Sequence, residues 1–459
     1  MQALTLKEIL EATGGKVLCR NNHKEAFQGI SIDSRTIREG EIFVALQGQR
    51  FDGHDFLMDA LKLGDGAIVS IPPPVPIKGK TIIHVENTLR ALQAIANYRR
   101  RMVKVPVIAV TGTNGKTTTK ELIASILSVR HRVLKSSGNL NNHIGLPLNL
   151  VNISMEHDFV VLEMGASIRG DIRDLCRIAE PDYGVLTNIG QAHLEGFGNL
   201  EVIRSTKLEL FDAVRVLIAN GDDLFLMDGI DRRMKERPVR LDKLITYGID
   251  TASDIRAGNI SFEEWGSSFD VLINTREYIS ARLKIPGRCN VYNALAAVSV
   301  CHYLGIPADE VKRGIETFEG VPMRFEFKRI AGVTVLSDLY NANPSSMEQA
   351  IRELVRVKRS RAIAILGDML ELGSYAIEAH NKIASLISKL PIDVFVAVGP
   401  FMSDIAEKLS SSIETYKFKD SEEAMGIISK ICKEGDTVLV KGSRGMRMEK
   451  ILEGEEDAL

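Results

Sequence analysis

The sequence predicts an α/β protein of three domains, built on largely parallel sheets. Three observations carry this. The 459 residues exceed one ordinary core and divide into about three domains at roughly 150 residues each. Apolar strands alternate with helical segments twice, once on each side of about residue 322. The stretch Val105–Thr119, VPVIAVTGTNGKTTT, reads as a buried strand, a tight glycine loop and the start of a helix.

Residues 1–85 form the first domain. Short strands at Ile42–Leu46, Ala67–Val69 and Thr81–Val85 accompany a helix near Phe56–Leu63, and Pro72-Pro73-Pro74 breaks the chain in a surface loop. Thr88–Arg101 is a helix with apolar spacing at Leu89, Leu92, Ile95 and Ala96, and it leads into the second domain, 86–322. There the apolar runs Val107–Val110, Arg132–Lys135, Phe159–Glu163, Gly184–Thr187 and Val216–Ala219 predict a parallel sheet covered on both faces. Between Asp254 and Ile285 the period falls to two (Phe269, Val271, Ile273; Ile279, Ala281, Leu283), which predicts an antiparallel ribbon attached to that sheet. Pro286-Gly287 ends the ribbon and Val291–Leu304 is a helix. The third domain, 323–459, alternates Val333–Ser337, a helix after Pro344, Ala362–Leu366, a helix around Ile377–Leu390, Val394–Val398 and Val438–Val440. It is an open α/β domain whose ligands belong at the carboxyl ends of its strands.

Composition narrows the function. A 45% hydrophobic and 26% charged chain is globular, and a net charge of −2 offers no attraction to nucleic acid or an anionic membrane. No signal-like amino terminus and no membrane-length apolar run is present. The five cysteines are scattered without a CxxC pair, as expected of core residues in a reducing cytoplasm.

The strand–loop–helix around Gly112-Thr113-Asn114-Gly115-Lys116-Thr117-Thr118 is the setting a phosphate-binding loop needs. Glycines let backbone N–H groups approach phosphates, and a helix N-terminus adds a favourable dipole. Lys116 would reach the β/γ-phosphates and the Thr117 hydroxyl would take a position on Mg²⁺. The spacing departs from GxxxxGK(S/T), because Val110 stands at the first glycine. Glu163 closes the neighbouring strand, where a metal-binding carboxylate would face that loop; an N-cap or solvated acid is the alternative. Ser137–His143 follows another strand, and its amides either read a ligand or cap turns. His193 follows Thr187-Asn188-Ile189 and either holds a second divalent ion or is structural. Lys207, on a helix over Glu201–Ala213, reads from spacing as an exposed lysine. Asn290 and Asn293 lie one turn apart and could face one ligand together. In the third domain Ser337–Pro344, Gly367–Gly373 and Lys441–Gly445 each follow an apolar strand and together describe a ligand rim.

These strings resemble the Mur ligases, ATP-dependent amino-acid-adding enzymes of bacterial cell-wall synthesis. TGTNGKT, EMGA, AHLEGFG and PGRCNVYNALAA match the shared central ATPase. YNANP, LGDMLELG and KGSRGMRME match the branch that adds D-alanyl-D-alanine to UDP-N-acetylmuramoyl-tripeptide. Asp33-Ser34-Arg35 and Phe51-Asp52-Gly53-His54 resemble its UDP-sugar-binding domain. The resemblance implies a small UDP-MurNAc-peptide domain, a central P-loop ATPase and a Rossmann-like domain for the amino substrate. It implies Lys116 and Thr117 at the ATP phosphates, with the rest of Gly112–Thr118 lining them. Glu163 and His193 would sit at Mg²⁺, and a carbamylated Lys207 would hold a second Mg²⁺. Lys116, Lys207 and His193 would be catalytic. Asn290 and Asn293 would lie near the adenine, and Arg324 and Asp338 would reach the nucleotide from the last domain. Ser34, Arg35, Asn139, Asn142, Tyr340, Asn341 and Asn343 would contact the UDP-peptide or the dipeptide. Two positions depart from the family pattern: His143 replaces an acid, and Leu339 a small polar residue. A cytoplasmic monomer with only small-molecule partners is expected. The rivals are a sister ligase or folylpolyglutamate synthase, a P-loop switch NTPase, and a non-catalytic UDP-sugar-binding protein.

Overall fold

A computed structural model describes residues 3–456 except 22, 49, 237–240, 264 and 331. Three main sheets follow one another along the chain. The first has five strands in the order Lys16–Cys19, Thr81–His84, Gly66–Val69, Glu41–Val44 and Gly29–Ser31; all but the first are parallel.

The central sheet has nine strands. Its parallel part runs Lys243–Gly248, Val216–Asn220, Tyr183–Leu186, Val107–Thr111, Phe159–Glu163 and Val133–Lys135. Val107–Thr111 lies in the middle with all five residues buried, as continuous apolar strands between helical layers must. The antiparallel ribbon has three strands, Ile255–Glu263, Gly266–Ile273 and Arg276–Leu283, and it continues the sheet beyond Lys243–Gly248. Its first strand lacks strict two-residue alternation, which hid it from the sequence pattern.

The third sheet runs Glu326–Ile330, Val333–Asp338, Thr437–Lys441, Ala362–Gly367, Val394–Val398 and Glu414–Phe418, antiparallel only at the first pair. The two outer strands were not expected from sequence. Edge strands such as Glu414–Phe418, ETYKF, carry polar residues and lack a continuous apolar run.

Two joints connect the sheets. The helix Thr88–Met102 leads from the first to the second, and its buried Arg100 donates to the carbonyls of Ala179, Glu180 and Val103 and to Asp182. The joint to the third sheet is wound differently. Gly320, Met323 and Phe325 all have positive φ, at 101°, 65° and 50°, a backbone region that bulky side chains rarely adopt.

The phosphate-loop helix Lys116–Leu127 is clamped from outside by the helix Ala308–Glu316. The two backbones meet at Gly314, where a Cβ would stand 2.3 Å from Ile126 Cα. Ser125 Oγ adds a 2.7 Å bond to the Gly314 carbonyl. Gly314→Ala should therefore destabilise the protein by about 1–3 kcal/mol, since an overpacked backbone contact must be pushed apart. A lower unfolding midpoint in urea is the expected reading; an unchanged midpoint would mean the helices part freely.

Candidate active site

The phosphate loop is set by close approach. Gly112 has φ 142°, and a Cβ there would fall 1.9 Å from Thr187 Oγ1. Gly115 has φ 81°, and its Cβ would fall 2.3 Å from Asn293 Oδ1. Thr187 and Asn188, at the end of the adjacent parallel strand, hold the loop from behind. The Thr113 N–H donates to the Asn188 carbonyl at 2.9 Å. The Asn188 side chain accepts from the Asn114 N–H (3.0 Å) and donates to the Asn114 carbonyl (3.1 Å), which also takes a 2.6 Å bond from Thr187 Oγ1. The Thr113 and Asn114 amides are thus bonded inside the protein. The first-turn N–H groups of Lys116, Thr117 and Thr118 have no carbonyl one turn back, which makes this helix start an anion cradle.

Lys116 Nζ donates to the Thr113 carbonyl at 2.9 Å. Burial holds its pKa below the usual lysine range, with Glu163 opposing that effect and Arg324 adding to it. Glu163 is 2% exposed. Its carboxylate accepts from Thr117 Oγ1 at 2.7 Å and from Asn141 Nδ2 at 2.8 Å. Carboxylate, hydroxyl and amide oxygens at a phosphate cradle suit Mg²⁺, which keeps water and phosphate oxygens as further ligands. No three His, Cys, Asp or Glu side chains converge on a metal-sized space among the described residues.

The sequence reading of Lys207 as exposed is overturned. The helix ends at Lys207, as Leu200–Lys207, and the side chain is 3% exposed. Among the described residues its ammonium has no ion-pair partner; the Phe197 ring lies 5.9 Å away. Burial, then the charge of Lys116, lowers its pKa to about 7. His193 holds Glu371 of the third domain at 2.8 Å, which keeps that carboxyl below its usual pKa. Asn290 and Asn293 share a face and bond each other at 3.2 Å, and Asn290 Nδ2 also donates to the Pro286 carbonyl. Beside them Asp222 accepts from the N–H groups of Ile249, Asp250 and Thr251 and from Tyr292 Oη at 2.7 Å. Burial raises its pKa, but these bonds outweigh burial and hold it well below the usual range.

The third domain supplies the opposite wall. The Arg324 guanidinium stacks 3.9 Å over the Tyr340 ring. Asp338 is paired with the buried Lys441, whose Nζ also bonds the Asn341 carbonyl at 2.9 Å. Asn343 caps the helix Pro344–Val357 by accepting from the Ser346 N–H at 2.9 Å. One cavity of about 560 Å³ is lined by Gly112–Lys116, Thr118, Glu163, His193 and Lys207 from the centre. Asn290 and Asn293 line it too, with Arg324, Asp338, Tyr340, Asn341 and Asn343 opposite. Thr117 reaches the same place through Glu163. Asn139 and Asn142 lie on its rim, where Asn142 Oδ1 also accepts from the Gly145 N–H. Ser34 and Arg35 do not line it: they sit on the first domain, where Arg35 forks Asp33.

His143 lies 2.9 Å from Asp171, and Leu339 is buried with its N–H on the Met323 carbonyl. Asn188, Asn141, Asp222, Tyr292 and Lys441 were assigned no role of their own from sequence. Their common signal is a polar residue just beyond an apolar strand or one turn into a helix.

The sequence matches three family profiles in order: Mur ligase family, catalytic domain (26–100), Mur ligase middle domain (110–301) and Mur ligase, glutamate ligase domain (323–444). It is 33% identical over 459 residues to the UDP-N-acetylmuramoyl-tripeptide--D-alanyl-D-alanine ligase of Bacillus subtilis, covering 98% of this chain and 97% of that one. The chain belongs to the Mur ligase family. Crystal structure I of MurF from Acinetobacter baumannii superimposes on this Mur ligase with a TM-score of 0.90 at 30% identity, covering 100% and 99% of the two chains. MurF of Thermotoga maritima in complex with ADP gives 0.82 at 30% identity, covering 94% and 97%.

Asn188 holds both the N–H and the C=O of Asn114, so Asn188→Leu leaves the Asn114 N–H without a partner and its carbonyl with Thr187 Oγ1 alone. The expected result is ADP binding weakened at least tenfold by calorimetry, equal to about 1.4 kcal/mol. Unchanged affinity would show that the loop keeps its shape without this side chain.

Proposed function

We propose that this Mur ligase joins D-alanyl-D-alanine to UDP-N-acetylmuramoyl-tripeptide at the expense of ATP. The supporting observation is one cavity walled by a phosphate loop on one side and the Tyr340–Asn343 loop on the other. Such a space brings a nucleotide and a second reactant within reach of each other. Relatives carrying the D-alanyl-D-alanine ligase name align with nearly the whole chain.

Joining a carboxylate to an amine in water is uphill, so the carboxylate must first be activated. The tripeptide carboxylate takes the γ-phosphoryl group of ATP, giving an acyl phosphate and ADP. The dipeptide amine then attacks the acyl carbon, loses a proton and expels phosphate. In this reading residues 1–85 grip the UDP-sugar through Ser34 and Arg35, residues 86–322 bind ATP, and residues 323–459 present the dipeptide. Lys116 and the helix start hold the phosphates, while Asn290 and Asn293 face the base. Arg324, held flat by Tyr340, adds a second cation to Lys116 where anionic carboxylate meets anionic triphosphate. Glu163, Thr117, His193 and a carbamylated Lys207 would hold two Mg²⁺ ions, which supply charge neutralisation when bound. A buried lysine without an acceptor fits carbamylation: its neutral amine adds CO₂, releases a proton and becomes an oxygen ligand. Asn139, Asn142, Tyr340, Asn341 and Asn343 belong to the substrate side. The protein is expected to work as a cytoplasmic monomer on small molecules alone. Among the described residues no helix is long and apolar enough to cross a membrane.

Phosphate release with UDP-MurNAc-tripeptide and ATP should require D-Ala-D-Ala and be weak with single D-alanine. Equal rates with an unrelated amino acid would favour a sister ligase; ATP or GTP hydrolysis without any UDP-sugar would favour a switch NTPase.

Lys207→Ala should nearly silence the enzyme, with partial rescue by acetate, and Lys207→Arg should stay inactive because guanidinium cannot take up CO₂. Protonation blocks CO₂ uptake, so with the amine titrating at about 7 activity should fall as pH drops below neutrality and recover with added bicarbonate. An arginine variant with normal turnover would remove the carbamate from the mechanism.

A further inference from the structure

The backbone of Asn114 is pinned to Asn188, but its side chain is turned the other way, toward the third domain. Asn343 Nδ2 donates to Asn114 Oδ1 at 2.8 Å, and Asn114 Nδ2 returns a longer bond to Asn343 Oδ1 at 3.4 Å. Asn114 Nδ2 also donates to Ser345 Oγ at 2.8 Å, and that hydroxyl donates to Asn343 Oδ1 at 3.0 Å. The three side chains form a closed ring of hydrogen bonds. Asn114 Nδ2 serves two acceptors, and Asn343 Oδ1 carries the ring and the helix cap at once. Gly190 makes room: a Cβ there would lie 2.9 Å from Ser345 Oγ. The residues joined are 229 and 231 apart in sequence, one in the phosphate loop and the others at the end of the Tyr340–Pro344 loop.

We infer that Asn114 is a positioning residue: through its amide pair with Asn343 it sets the acceptor-side loop over the phosphate loop, so that correct seating of one fixes the other. The inference rests on the ligase reading for what the acceptor side carries. It assigns Asn343 to the junction between domains. The pair sits next to Lys116, so a shift of the loop on phosphate binding passes directly into the cap of the helix Pro344–Val357. On the far side of the same seam the chain's single tryptophan, Trp265 on the ribbon, meets Phe327 of the third domain edge to face at 5.7 Å. Arg356 lies 4.6 Å over Phe262 nearby. Trp265 is 37% exposed, and its emission therefore reports whether the third domain is seated.

The test is a double-mutant cycle. Asn343→Ser keeps a capping hydroxyl on the helix but has no amide to pair with Asn114; Asn114→Ala removes the other partner. Each single variant should lose ten- to a hundredfold in kcat at saturating substrates. For Asn343→Ser, which lies outside the phosphate loop, ADP affinity should stay within about threefold and the thermal midpoint close to the parent. The double variant should be no worse than the poorer single one, because the pair is lost once. Trp265 emission should respond to ATP in the parent and lose most of that response in the variants. Losses that multiply in the double variant, a fall in ADP affinity of Asn343→Ser matching its fall in kcat, or an intact Trp265 response would each overturn the inference. The fluorescence arm needs only nucleotide. A parent protein without D-Ala-D-Ala-dependent phosphate release but with a clasp-dependent Trp265 response would refute the ligase reading and leave the positioning role standing.

Discussion

Everything at the site depends on two backbones lying closer than side chains allow. Gly112 passes Thr187 so tightly that a Cβ would overlap its hydroxyl, and this lets Thr187 and Asn188 bond the loop from the strand behind it. The loop's shape is therefore imposed by the parallel pairing of Val107–Thr111 with Tyr183–Leu186. That pairing also explains why the phosphate-loop spacing tolerates Val110 at the first glycine position. Val110 is a buried strand residue, and the turn needs its freedom two residues later.

The second constraint is electrostatic. Lys116, Lys207 and Arg324 face one cavity; burial and a neighbouring cation, Arg324 for Lys116 and Lys116 for Lys207, hold the two lysines below their usual pKa. Cations buried side by side without direct acidic partners are costly in a folded protein, and a bound polyanion relieves it. The acids present are already employed. Asp338 holds Lys441, Asp222 holds a turn and Tyr292, and Glu371 holds His193. Glu163 is the buried carboxylate at the loop itself, and its present partners are a hydroxyl and an amide rather than a cation.

Much of this was legible in the sequence because parallel strands buried on both faces leave continuous apolar runs, and because polar residues just past those runs fall on one sheet edge. The phosphate loop and Glu163 stand out that way, and Asn290 and Asn293 by their one-turn spacing on a helix. Lys207 was not, because burial by neighbouring segments leaves no trace in the spacing of its own helix. The Asn114–Asn343 pair was equally hidden, since local periodicity carries no information about partners more than two hundred residues away. The half-polar edge strands Glu326–Ile330 and Glu414–Phe418 were missed for the opposite reason: exposure erases the pattern that marks a strand.

The wound segment before the third sheet has a mechanical meaning. Met323 and Phe325 both sit in left-handed backbone, with Arg324 between them and the Met323 carbonyl taking the N–H groups of Leu339 and Tyr340. Such residues cost on the order of 1–3 kcal/mol each and persist only while their surroundings enforce them. That sum is comparable to the gap between two arrangements of a protein. The segment thus behaves as a cocked spring rather than a slack tether. It is held by the same loop that lines the cavity, and loosening that loop would let it unwind and carry Arg324 away from the cavity wall.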